Sequence, residues 1–140
     1  MRCEDKKLEV INSTSDMQKG GWLFENIETG QYHERCKSDT WYGYSNTTEM
    51  LSSVQAIFKG HGIAEMKIGN CGFDNEAMVK VTLNKKELGA IDKMNERYFS
   101  FHFSPNDTIN IIPVSKQQYG AIINIFYLQI SCGRHKSSFN

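Results

Sequence analysis

The chain has 140 residues, enough for one domain whose core buries roughly two-thirds of the unfolded surface without metal or dense disulfide support. Apolar residues make up 39%, with eight Phe, six Tyr and two Trp, which excludes a disordered chain. Sixteen basic side chains balance sixteen acidic ones with no basic stripe, which argues against nucleic acid as a partner, and no apolar run approaches the length that membrane insertion needs.

The opening Met1-Arg2-Cys3-Glu4-Asp5 is charged and lacks the apolar segment of a signal peptide. Leu8 and Val10 alternate in a short run, Lys7 to Ile11, that suggests an edge strand. Asn12 to Gly21 reads as loop, with Ser, Thr, Asp and paired Gly. Trp22 to Ile27 reads as a strand, followed by a turn at Glu28-Thr29-Gly30 and a second run through Tyr32. Arg35 to Thr48 mixes Ser, Thr, Gly and aromatics as a long irregular connection. Helix is conceivable only around Glu49 to Ala56, where Ser52-Ser53 and the β-rich run that follows argue against it.

From there the alternation is regular. Val54, Ala56 and Phe58 share one face of Ser53–Lys59, and Ala64, Met66 and Ile68 share one face of Ile63–Ile68. Gly60-His61-Gly62 between them has the positive-φ freedom of a tight hairpin. A loop, Gly69 to Asn75, precedes a second hairpin made of Met78–Leu83, the turn Asn84-Lys85-Lys86, and Glu87–Ile91. Tyr98–Phe103 turns Phe99, Phe101 and Phe103 inward, and Ser104 to Asp107 leads into Thr108–Val114. The closing strand, Gly120 to Cys132, is apolar on both faces along part of its length, as a mid-sheet strand is. The expected fold is all-β, an antiparallel two-sheet β-sandwich of jelly-roll type. It forms a single domain over 1–140, with a less regular part at 1–50, patterned strands over 51–132 and a tail at 133–140.

The cysteines, Cys3, Cys36, Cys71 and Cys132, are even in number and widely spaced, and four cysteines allow three pairings. Cys3–Cys132 with Cys36–Cys71 is favoured, because chain ends often lie close together and a loop-to-loop bridge would pin the irregular segment. Cys71–Cys132 with Cys3–Cys36 is the competitor. Acceptor triplets for N-glycosylation begin at Asn12, Asn46 and Asn106, each in an expected loop or turn. Together these favour an extracellular or cell-surface protein over a cytosolic one with reduced thiols.

No nucleophile-plus-base signature, phosphate-binding glycine loop or metal-ligand spacing occurs, so the expectation is no enzyme, no metal and no cofactor. His33 and Cys36 alone do not make a tetrahedral site. Trp41, Tyr42 and Tyr44 lie among Asp39, Ser45 and Asn46, a mixture suited to a glycan: rings stack on sugar C–H faces while polar groups meet hydroxyls. The same mixture suits a protein-binding loop, or an end cap for the core. A second polar loop contributes Asn70 and Asp74, which could bind ligand or simply form an Asx-rich turn.

The runs Phe58-Lys59-Gly60-His61-Gly62-Ile63-Ala64, Ile68-Gly69-Asn70-Cys71, Val79-Lys80-Val81-Thr82-Leu83-Asn84 and Ala121-Ile122-Ile123-Asn124-Ile125 resemble a repeating extracellular module of marine invertebrates. That module is similar in outline to galactose-binding-like and carbohydrate-binding jelly rolls. The resemblance implies the fold and an extracellular setting, carries no settled activity, and does not reach the segment before Thr48. The function expected is therefore a secreted or cell-surface, lectin-like module that binds a glycan through the aromatic loop. The alternative is an ectodomain module that binds an extracellular protein or is structural.

Overall fold

The computed structural model describes residues 14–29, 36, 40–42, 52–116 and 120–132, with the backbone alone for Tyr42 and Cys132. Among the described residues one short helix, α1 (Thr14–Lys19), precedes ten strands: β1 (Leu23–Glu25), β2 (Glu28–Thr29), β3 (Thr40–Tyr42), β4 (Ser53–Ile57), β5 (Gly62–Asn70), β6 (Met78–Leu83), β7 (Lys86–Asp92), β8 (Asn95–Phe103), β9 (Thr108–Val114) and β10 (Ile122–Cys132). They form two five-stranded sheets, ordered β1-β4-β9-β6-β7 and β2-β3-β10-β5-β8, and every pairing is antiparallel. The two-sheet β-sandwich read from the pattern is the fold.

Alternation explains the core. Val54 and Ala56 of β4, Val79 and Val81 of β6, and Ile109 and Ile111 of β9 face inward from the first sheet. Ala64, Met66 and Ile68 of β5, Phe99 and Phe103 of β8, and Ile123, Ile125, Leu128 and Ile130 of β10 meet them from the second. Phe103 stacks on Phe58 with centroids 3.9 Å apart and planes 14° apart. Phe101 also points inward but is only half-buried at the edge of the core. β10 lies between β3 and β5, in the mid-sheet position its two-sided apolar character demands.

Four local readings change: the turn expected at Glu28-Thr29-Gly30 and the irregular connection expected from Arg35 to Thr48 hold the short strands β2 and β3, and two further stretches differ. The stretch Asn12–Gly21, expected as loop, contains α1, and its paired glycines are the helix stop. Gly21 (φ 96°) follows the last turn, its N–H bonds the Gln18 carbonyl, and the Trp22 N–H reaches back to the Met17 carbonyl. This is a Schellman cap, and buried Trp22 and Met17 supply its hydrophobic pair. Gly60-His61-Gly62 is not a hairpin: it carries the chain from β4 in one sheet to β5 in the other, with neither glycine at positive φ. The tight positive-φ turn is Asn84-Lys85 (φ 53° and 70°), a two-residue loop joining β6 to β7. The edge strand expected at Lys7–Ile11 lies outside the described residues.

Candidate functional site

Of the residues singled out in the aromatic loop, Asp39, Tyr44, Asn46 and the Tyr42 side chain lie outside the described residues. Trp41 is 0% exposed, so its ring offers no face to a ligand. It packs edge-on against Phe24 at 4.9 Å, and its Nε1–H donates to Thr14 Oγ1 at 2.8 Å, fastening α1 to β3. Asn70, 1% exposed, is fully engaged by the backbone around it. Its Nδ2 donates to the Ile91 carbonyl (2.9 Å), while Oδ1 accepts from Gly72 N–H (2.9 Å) and Ile122 N–H (3.2 Å). Asp74 Oδ1 accepts the Glu76 N–H in an Asx turn. Cys36 and Cys71 are bridged, with Cα atoms 5.9 Å apart, and pack with Ile122. Cys3 and the Cys132 side chain, like Asn12, fall outside the described residues, whereas Asn106 sits exposed in a turn.

The sequence reading missed the outer face of the second sheet. With Met66, Ile68, Phe99 and Leu128 turned into the core, their neighbours must turn out. Register then sets Tyr127, Lys67 and Tyr98 side by side across β10, β5 and β8. The next row is Asn124, Gly69 and Glu96, about 7 Å along the strands. A β-bulge between Ile125 and Tyr127 adds one residue, so Ile125 and Leu128 both reach the core with two aromatics between them. Phe126 and Tyr127 are both half-exposed as a result. The Tyr98 and Tyr127 centroids are 6.5 Å apart with planes tilted by 53°, and Tyr98 is 53% exposed. Lys67 Nζ lies 5.2 Å from the centre of the Phe126 ring and 2.8 Å from Glu96 Oε1.

Charge is held in pairs here. Glu96, through its hydrogen bond first and its charge second, holds the Lys67 ammonium above the usual lysine range. Desolvation, then the charge of Glu65, pushes the Tyr98 phenol up. Tyr98 therefore stays neutral across the ordinary pH range.

At the end of this face, Gly69, Asn70, Cys71, Met94, Asn95, Glu96, Asn124 and Phe126 enclose a pocket of about 100 Å³. A Cβ at Gly69 would come 2.5 Å from Asn124 Oδ1 and 3.0 Å from Phe126 Cε2, so glycine is what lets the Asn124 amide and the Phe126 ring pack down over the strand here. Asn124 is 4% exposed, and its Oδ1 has no hydrogen-bond partner among the described residues. Among the described residues no group of three or more His, Cys, Asp or Glu is placed to hold a metal ion, and no helix is long and apolar enough to cross a membrane. The arrangement offers ring faces beside carboxylate, ammonium and amide groups.

No protein-family model matches the chain, and no curated protein matches it. Solved structures do. A family 35 carbohydrate binding module from Clostridium thermocellum is similar at a TM-score of 0.52 and 11% identity, covering 90% of this chain and 100% of that one. The CBM22-1 xylan-binding domain from Paenibacillus barcinonensis Xyn10C is similar at 0.52 and 7% identity, over 88% and 90%. The CBM36-1 domain of a multidomain xylanase from the hindgut metagenome of Trinervitermes trinervoides is similar at 0.50 and 14% identity, over 91% and 98%. None of the three comes from a marine invertebrate, so that part of the resemblance finds no support, while its outline does. At such identities the likeness speaks to fold: the chain has the β-sandwich of carbohydrate-binding modules.

Proposed function

We propose that this protein is a secreted, non-enzymatic carbohydrate-binding module that lays a glycan across the outer face of its second sheet. The observation that carries this is exposed Tyr98 beside half-exposed Tyr127, with Phe126 next to them and Glu65, Lys67 and Glu96 around them. Sugar rings present apolar C–H faces to aromatic rings and hydroxyls to charged or amide groups, and this face supplies both. The fold is shared with modules whose names state carbohydrate or xylan binding, which favours binding over catalysis. The Cys36–Cys71 bridge and the exposed Asn106 acceptor favour an oxidising, extracellular setting. Asp39, Tyr42, Tyr44 and Asn46 enter the proposal as further candidate contacts for the same ligand.

The test is a glycan array followed by calorimetric titration of the best hit. Tyr98→Ala and Tyr127→Ala should each weaken binding about tenfold, the equivalent of 1.4 kcal/mol, with little change in thermal stability because both rings lie at the surface. An empty array, or wild-type affinity in both variants, overturns the reading. A protein ligand is the second reading, because β8 presents nine residues at the free edge of its sheet. A partner that free sugars do not displace would favour it.

A further inference from the structure

We infer that the pocket at the end of the aromatic face is an acetamido subsite, taking the N-acetyl group of an amino sugar whose ring lies on that face. The inference rests on the carbohydrate reading above and narrows it. It begins from an unmet hydrogen bond. Asn124 Oδ1 is closed off from solvent and has no donor, although Asn124 itself is a pocket wall. A buried acceptor left unpaired is unfavourable, so a site that retains one is poised for a donor brought from outside. The residue facing it across the strand pair is Gly69, which has no side chain to supply one.

The surroundings select the donor. Phe126 Cε2 and Asn124 Oδ1 converge over the bare Gly69 Cα, so binding requires the ring to turn aside as the donor enters. A sugar hydroxyl reaching that oxygen would bring lone pairs of its own, which would face an aromatic ring and a CH₂ group. An amide N–H brings none. The methyl of the same acetamido group then meets the Phe126 ring and Met94, the apolar parts of the wall. Its carbonyl is left for Lys67, whose Nζ sits between Glu96 and Phe126, both lining residues, and has donors to spare. Donor, methyl and carbonyl each find a counterpart. The volume, about 100 Å³, holds several waters and so has room for an acetamido group.

The experiment titrates the protein with N,N′-diacetylchitobiose and with cellobiose, which differ in carrying acetamido groups or hydroxyls at the 2-positions. Wild type should bind the acetylated disaccharide at least about tenfold more tightly, or 1.4 kcal/mol. Asn124→Leu keeps the forked shape without the acceptor, and Gly69→Ala puts a methyl on the pocket floor; each should bring the affinity ratio to about one. Asn124→Leu should melt no lower than wild type, since it removes an unpaired group. If both disaccharides bind wild type equally, or the preference survives both substitutions, the subsite is wrong and the sheet-face reading stands. Binding of neither sugar overturns the subsite, and the sheet-face reading is then decided by the array. Collapse of Asn124→Leu would mean that Oδ1 is structurally paired, which also overturns the subsite.

Discussion

Asn70→Ala tests the end of the sandwich that carries the pocket. Asn70 satisfies three buried backbone groups at once: the Ile91 carbonyl on β7, the Gly72 N–H in the loop after β5, and the Ile122 N–H at the start of β10. One side chain thus ties both sheets together beside the Cys36–Cys71 bridge. Alanine leaves all three groups without a partner, each at about 1–3 kcal/mol. Water entering through the adjoining pocket relieves part of that, so the expected loss is about 3–5 kcal/mol, at the upper end for a point substitution.

Urea unfolding followed by tryptophan fluorescence measures this directly. For 140 residues the unfolding entropy is about 0.3 kcal/mol per kelvin, which converts the loss to a melting shift of roughly 10–17 °C. Asn70→Leu is the necessary companion. It fills the same space and breaks the same three bonds, so it separates hydrogen bonding from cavity formation and should still lose more than about 2 kcal/mol. A loss below about 1 kcal/mol in both variants would refute the triple role and return Asn70 to the candidates for ligand contact.

Phe103→Ala, which removes a ring stacked on Phe58 and 2% exposed, should cost about 3–5 kcal/mol in the same assay, and half-buried Phe101→Ala clearly less. Replacing Cys36 and Cys71 together by Ala should cost up to about 4 kcal/mol from chain entropy at a sequence separation of 35; no change in melting temperature would mean that the bridge is not formed. The Tyr98 phenol, followed by ¹³C NMR of labelled tyrosine, should titrate above the ordinary value of 10.0, and Glu65→Gln should lower it only part of the way because desolvation is the larger cause. A raised value means that the folded chain holds this proton more tightly than the unfolded one. The resulting stability is complete below the ordinary value and is lost as pH rises through the folded-state value.

The strands were legible because their core residues alternate within one short segment, as Ala64, Met66 and Ile68 do. Connectivity was less so. Gly60 and Gly62 look like a hairpin turn, yet β4 and β5 belong to different sheets, and nothing local reveals which sheet a strand will join. Gly20-Gly21 signals a stop, but a stop ends a helix as readily as it fills a loop. The aromatic loop drew attention because Trp41, Tyr42 and Tyr44 are close in sequence. Large rings close in sequence are also what the end of a core requires, and that is where Trp41 goes.

The outer face was hidden for a different reason. Lys67, Tyr98 and Tyr127 stand far apart in the chain and meet only through register, which follows from which side chains the core has claimed. The bulge deepens the concealment. Read at period two, Ile122 to Tyr127 is apolar on both faces and looks like a strand buried from both sides. One extra residue breaks that period and turns Phe126 and Tyr127 together toward solvent, beside a glycine over which Asn124 and Phe126 pack. Neither change strengthens the sandwich: a bulge interrupts the ladder, and glycine in a strand forfeits packing. Asn124 adds an acceptor left unpaired in the same few residues. Three departures from the most stable sheet thus share one corner, beside the bonds of Asn70 and the disulfide, and it is on that corner that the proposed subsite rests.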